Sequence, residues 1–197
     1  MEDQPWTTSP VEAAVDALST GATLFQVAAA IRGSATPTIA ASIPARREAA
    51  DFERLRDASD QWLDAGGSRP RAFLVNIGAV SDYRMRAEFA RNLLEAGGIE
   101  VVTSAGLETP SAAVTAFGSN GVFTAVICSS NEVYATSMPA LASALREAGA
   151  RMVLLTGNPG TQEGAWRQAG VDHFLNTACD ALALLTDVLR AEGVIDG

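Results

Sequence analysis

The chain has 197 residues, 48% of them hydrophobic, and a formal net charge of −9, enough for one core of roughly 100–150 residues plus an extension. The acidic balance and the lack of any basic block disfavour nucleic acid and anionic membranes as partners. No lysine occurs, all 14 basic residues being arginine, which removes P-loop, Schiff-base and receiver-type chemistries that depend on that amine.

The amino-terminal segment MEDQPWTTSP is acidic and polar, with no basic stretch before an apolar one, and no run of about 18 apolar residues follows. A soluble cytoplasmic protein is expected. Ser9, Pro10 and Glu12 spell a capping box with proline in the first turn, predicting a helix to about Ser19. Residues 23–32 predict a second helix ended by Gly33, and residues 34–44 (SATPTIAASIP) an extended connector. Residues 45–65 then place Phe52, Leu55, Ala58 and Trp62 on one stripe, with Gly66, Gly67 and Ser68 as a hinge. Residues 1–68 therefore read as an all-helical arm. Its stripe either folds back on the rest of the chain or docks on a partner or a second copy, so Phe52, Leu55 and Trp62 are docking candidates.

From residue 69 to 197 short apolar runs alternate with amphipathic stretches, the pattern of parallel strands with crossover helices. Strands are expected at residues 72–76, Glu100–Thr103, Thr124–Cys128, Met152–Thr156 and His173–Leu175. The first, third and fourth are apolar nearly throughout, as strands buried on both faces are. Between them, residues 84–96 put Ala87, Ala90, Leu93 and Leu94 on one stripe and Arg84, Glu88, Arg91 and Glu95 on the other. Thr109 and Pro110 mark the next helix start, and further helices are expected over residues 134–148, 161–169 and 178–191. The fold class that follows is α/β, a flavodoxin-like doubly wound five-stranded parallel sheet in the order 2-1-3-4-5, preceded by the helical arm.

In such a sheet ligands sit beyond the strand C-termini. The loops there hold Gly78, Ser81 and Asp82; Ser129, Ser130 and Asn131; and Thr156 and Gly157. All of these also make sense as helix caps and turn residues. Asp82 and Tyr83 are the one acid-pair candidate, with no nucleophile near them in sequence, and Glu132 suits a solvated helix start. No Gly-x-Ser-x-Gly elbow occurs, and one histidine with two distant cysteines makes no zinc site. Cys128 and Cys179 read as small buried hydrophobes.

The runs RPRAFLVNIG, FARNLLEAGGIEVV, ETPSAAVTAFGSNG, VICSSNEVYA, LREAGARMVLLTGNPG and AGVDHFLNTACD together resemble the C-terminal cobalamin-binding domain of methylmalonyl-CoA mutase. The likeness is greatest to the small, beta-type subunit of the heterodimeric bacterial enzymes and covers about residues 69–193. PARREAADFERLRDASDQWLDAGG resembles the linker before that domain; no part of these residues resembles the family's substrate barrel, so a fragment or a separately encoded domain is expected. Binding members carry an Asp-x-His-x-x-Gly loop after the first strand, whose imidazole ligates cobalt. Here residues 78–85 hold no histidine, and the chain's sole imidazole, His173, lies at the fifth strand. The family's Ser-x-Leu appears as Ser129-Ser130-Asn131, and its Gly-Gly as Thr156-Gly157.

The resemblance thus implies a non-catalytic docking module with cobalamin binding lost and no metal site. Its partner would be the mutase large (alpha) subunit, which holds the adenosylcobalamin; their complex interconverts methylmalonyl-CoA and succinyl-CoA in propionate metabolism. Two alternatives stand beside it: a cobalamin carrier that binds the cofactor base-on, and a flavodoxin-like small-molecule sensor.

Overall fold

The computed structural model describes residues 9–32 and 47–196. By internal contacts the chain divides into two units, Met1–Ala45 and Arg46–Gly197. The first unit is a pair of helices, α1 (Pro10–Ser19) and α2 (Leu24–Arg32). The expected capping box opens α1: Glu12 accepts the Ser9 N–H at 3.1 Å while Ser9 Oγ accepts from Val11 N–H. Thr23 and Gln26 bond to one another in the same manner ahead of α2. Of the apolar residues in this pair only Val27 is buried. The connector expected over residues 34–44, and its Gly33 stop, lie outside the described residues.

The second unit runs α3 (Ala50–Asp64), β1 (Arg71–Asn76), α4 (Val80–Ala96), β2 (Glu100–Thr103), α5 (Pro110–Gly118), β3 (Thr124–Cys128) and α6 (Asn131–Glu147). It continues with β4 (Met152–Thr156), a 3-10 turn (Gly160–Gln162), α7 (Glu163–Gln168), β5 (His173–Leu175) and α8 (Ala181–Ala191). The five strands form one all-parallel sheet in the order β2-β1-β3-β4-β5, so this is the flavodoxin-like α/β fold the sequence predicts.

Alternate residues of the central strands feed two cores. Phe73, Val75, Ala125, Ile127, Val153 and Leu155 point toward Phe117, Tyr134, Met138, Leu141 and Trp166 on α5, α6 and α7. Leu74, Val126, Cys128 and Leu154 point the other way, toward Ala90 and Leu94 of α4 and Leu184, Leu185 and Val188 of α8. Burial on both faces is why these strands are apolar without alternation.

α3, which the sequence places in the arm ending at residue 68, falls by internal contacts within the second unit. It lies on α8, with Leu55 only 8% exposed in the α4/α8 core and Phe52 packed beside it. It also satisfies the end of α4, where carbonyls lack helical partners: Arg56 donates to the Ala96 carbonyl at 3.0 Å and Ser59 to that of Gly98 at 2.7 Å. Gly98 turns the chain in the left-handed region (φ 79°), with the Ser59 side chain against it. Leu55 is therefore buried within this unit and Phe52 half-buried against its core, whereas Trp62 stays 40% exposed. Among the described residues no helix is long and apolar enough to cross a membrane.

Candidate functional site

The strand order reverses between β1 and β3, where the connections leave toward opposite faces and a doubly wound sheet opens its ligand crevice. Three loops border that opening. After β1, Gly78 adopts φ 91° with its Cα so close to the Asp82 carboxylate that a Cβ would lie 2.6 Å from Oδ2. Asp82 accepts the Ala79 N–H at 2.9 Å, which starts α4 at Val80, four residues earlier than the apolar stripe alone suggests. Gly78 N–H donates to the Leu107 carbonyl at 3.0 Å, and Leu107 N–H to that of Asn76 at 2.8 Å, tying this loop to the one after β2.

The loop after β3 is fastened from three sides. Ser129 is fully buried and its hydroxyl donates to the Ile77 carbonyl at 2.7 Å. Its N–H donates to Tyr134 Oη at 2.8 Å, and that phenol donates to the Thr156 carbonyl at 2.9 Å. Ser130 Oγ accepts from Val133 N–H as the cap of α6. After β4, Thr156 is 2% exposed with Oγ1 3.4 Å from Cys128 Sγ, and Gly157 N–H donates to the Leu175 carbonyl at 2.8 Å.

Arg86, from the second turn of α4, lies between these loops. Its guanidinium donates to the Ser129 carbonyl and, at 2.6 Å, to Asn131 Oδ1, with Cζ 4.9 Å from the centre of the Tyr134 ring. On the remaining side is Gly157, where a Cβ would lie 3.4 Å from Cζ. What stays open is a shallow apolar recess of about 420 Å³ bordered by Met85, Arg86, Phe89, Thr156, Gly157 and Leu175.

The electrostatics are those of a packed joint. Burial pushes the Cys128 thiol up to about 12, partly opposed by the Thr156 hydroxyl and Arg86. Burial likewise raises Tyr134 well above a free phenol. Neither group is a nucleophile or base at neutral pH. Exposed Glu132 is held below the usual carboxyl range by its own backbone amide and the Ser130 hydroxyl, a helix-start carboxylate as expected.

No family model matches the chain. It is 38% identical to the methylmalonyl-CoA mutase small subunit of Streptomyces virginiae over 152 residues, 77% of this chain and 24% of that protein. The probable methylmalonyl-CoA mutase small subunit of Mycobacterium tuberculosis is 36% identical over 152 residues, 76% of this chain and 24% of its own. That of Propionibacterium freudenreichii subsp. shermanii is 30% identical over 150 residues, 75% and 23%. This chain is homologous to one part of the methylmalonyl-CoA mutase small subunit. It spans about a quarter of the length of the curated relatives it matches.

Gly78, Ser129, Asn131, Thr156 and Gly157 meet around the switch point, while Ser130 and Asp82 serve as helix-start acceptors at its rim. Ser81 is exposed on the first turn of α4, outside the network. Asp82 and Tyr83 do not form an acid pair: the carboxylate is turned back on Ala79, and the Tyr83 ring lies against Gly106 in the loop after β2. His173 stands on the edge strand β5, its Nε2 3.1 Å from Asp187, which also pairs with Arg190. Cys128 is buried as expected, but Cys179 is only half-buried, on a separate recess with Asp180, His173 and Arg167.

Sequence reasoning missed Arg86 and Tyr134. The one hint for Arg86 was that it falls outside the solvent stripe Arg84, Glu88, Arg91 and Glu95, two of whose pairs, Arg84–Glu88 and Arg91–Glu95, do form on the surface.

Proposed function

We propose that this chain is the α/β portion of a methylmalonyl-CoA mutase small subunit, a soluble cytoplasmic docking module without catalytic residues of its own. It would present its surface to the mutase large subunit in a heterodimer, and the large subunit would hold adenosylcobalamin and carry out the interconversion of methylmalonyl-CoA and succinyl-CoA. The homology supports the assignment to a mutase-like subunit. The non-catalytic reading is supported by one observation above others: the switch-point crevice is occupied by Arg86 and laced shut by Ser129 and Tyr134.

Cobalamin does not suit these residues. A cobalt ligand would have to come from residues 78–85, where Asp82 is engaged with Ala79 and no nitrogen donor of the imidazole kind exists. His173 is three strands away from β1 in the sheet and engaged with Asp187. A nucleotide tail would need the space of the Arg86 guanidinium and of the Thr156 side chain, both bonded to protein atoms. These contacts count against the alternative of a base-on carrier. The apolar recess beside Gly157 is too shallow and has too few convergent polar groups to favour a small-molecule sensor.

The test has two arms on the purified chain. Co-expression with a mutase large subunit should give a co-purifying complex, and mixing the chain alone with adenosylcobalamin followed by desalting should leave no corrin absorbance. Stoichiometric corrin retention, or no association with the large subunit, would overturn the reading.

A further inference from the structure

We infer that the switch-point crevice is a guanidinium-binding site and that Arg86 is its built-in occupant, a plug supplied in cis that keeps other ligands out. This rests on the proposed loss of cofactor binding, and explains how the crevice is kept from taking up a different ligand.

Surface arginines of an acidic protein ordinarily face carboxylates, as Arg84, Arg91, Arg167 and Arg190 do here. Arg86 has no ion pair among the described residues, and its partners are neutral groups arranged around a flat cation. Two oxygens of one loop, the Ser129 carbonyl and Asn131 Oδ1, take separate N–H groups of the fork. The Tyr134 ring offers its electron-rich face at 4.9 Å, and Gly157 leaves room on another side. A planar, delocalised cation with several in-plane donors satisfies all of these at once, whereas the tetrahedral donors of an ammonium do not match a planar fork.

The receptor side is also made rigid without Arg86. Ser129 is anchored to Ile77 through its hydroxyl and to Tyr134 through its N–H, Tyr134 is anchored to Thr156, and Asn131 begins α6. Each of those bonds is independent of the guanidinium, so removing the arginine side chain should leave a formed and unfilled cation site rather than a collapsed one.

The experiment is chemical complementation. In Arg86→Ala, millimolar ethylguanidinium should shift the backbone amide resonances of Ser129, Asn131 and Gly157 saturably and raise the melting temperature. Wild type, whose site is filled, should bind roughly tenfold more weakly or not at all. Ethylammonium at the same concentration should do neither. Equal shifts in both proteins, or a folded Arg86→Ala that ignores ethylguanidinium, would overturn the inference. Should the variant fail to fold, the wild-type side chain decides: a held guanidinium shows slow rotation about Nε–Cζ and resolved Nη–H resonances, and averaged resonances for Arg86 would equally overturn it. Cobalamin uptake by wild type would instead sink the functional reading, so the two failures are distinguishable.

Discussion

The Ser129 hydroxyl donates to the Ile77 carbonyl at 2.7 Å, joining the end of β3 to the end of β1 at the one place where the sheet's strand order reverses. Both residues are buried, so the acceptor has no water to turn to if the hydroxyl is lost. Ser129→Ala should cost about 1–3 kcal/mol of unfolding free energy, the penalty of an orphaned buried acceptor. Urea denaturation followed by circular dichroism measures it; a cost within 0.3 kcal/mol of zero, on the order of a neutral surface change, would mean the bond does not brace the loops.

Tyr134 supplies the other half of the joint, because its phenol takes the Ser129 N–H and serves the Thr156 carbonyl. Tyr134→Phe keeps the ring under Arg86 and its edge contact with Trp166, 5.9 Å between centroids, while leaving both backbone groups unpaired. A loss of roughly 1–3 kcal/mol is expected, and the Ser129→Ala and Tyr134→Phe costs should fail to add, since both act on one loop. Strict additivity in the double variant would argue that the two bonds brace different things.

All five strands were legible in the sequence to within a residue, the central three because a strand buried on both faces has to be an apolar run; Thr124–Cys128 and Met152–Thr156 could be little else. Helix starts were less legible. Periodicity marks where a stripe becomes continuous, but the first turn is set by caps: Asp82 brings α4 forward to Val80, Ser130 brings α6 forward to Asn131, and Asp180 delays α8 to Ala181. The loops of the site could be named from topology alone. Arg86 could not, since its partners lie 43 and 45 residues further along the chain and helical periodicity sorts residues only into core and solvent.

The thiols give a pH prediction. Burial holds the Cys128 proton up to about 12, against an ordinary value of 9.0, so the unfolded chain releases that proton at a lower pH than the folded one. Stability from this group is complete below pH 9 and is lost as pH rises toward 12; Tyr134, also raised by burial, acts in the same direction. Urea midpoints should fall between pH 9 and 11, and less steeply in Cys128→Ala than in wild type. Under native conditions at pH 8 a thiol reagent should modify half-buried Cys179 and spare Cys128. Rapid labelling of both would contradict the burial of the second.

The third helix separates a folding role from a docking role within one stripe. Leu55 fills space between α4 and α8, so Leu55→Ala should cost about 2–4 kcal/mol through the cavity it leaves, and a chain beginning at residue 69 should be less stable than one beginning at residue 46. Trp62, 40% exposed beside the similarly exposed Leu63, keeps part of its indole over Gly67 and turns the remainder outward. Trp62→Ala should then change the melting temperature little while weakening association with the large subunit at least fivefold, about 1 kcal/mol, as expected for an aromatic anchor at an interface. Calorimetric melts and binding titrations of the two variants should show opposite patterns. If Trp62→Ala melts like Leu55→Ala and binds the large subunit like wild type, that tryptophan belongs to the fold and the docking surface lies elsewhere.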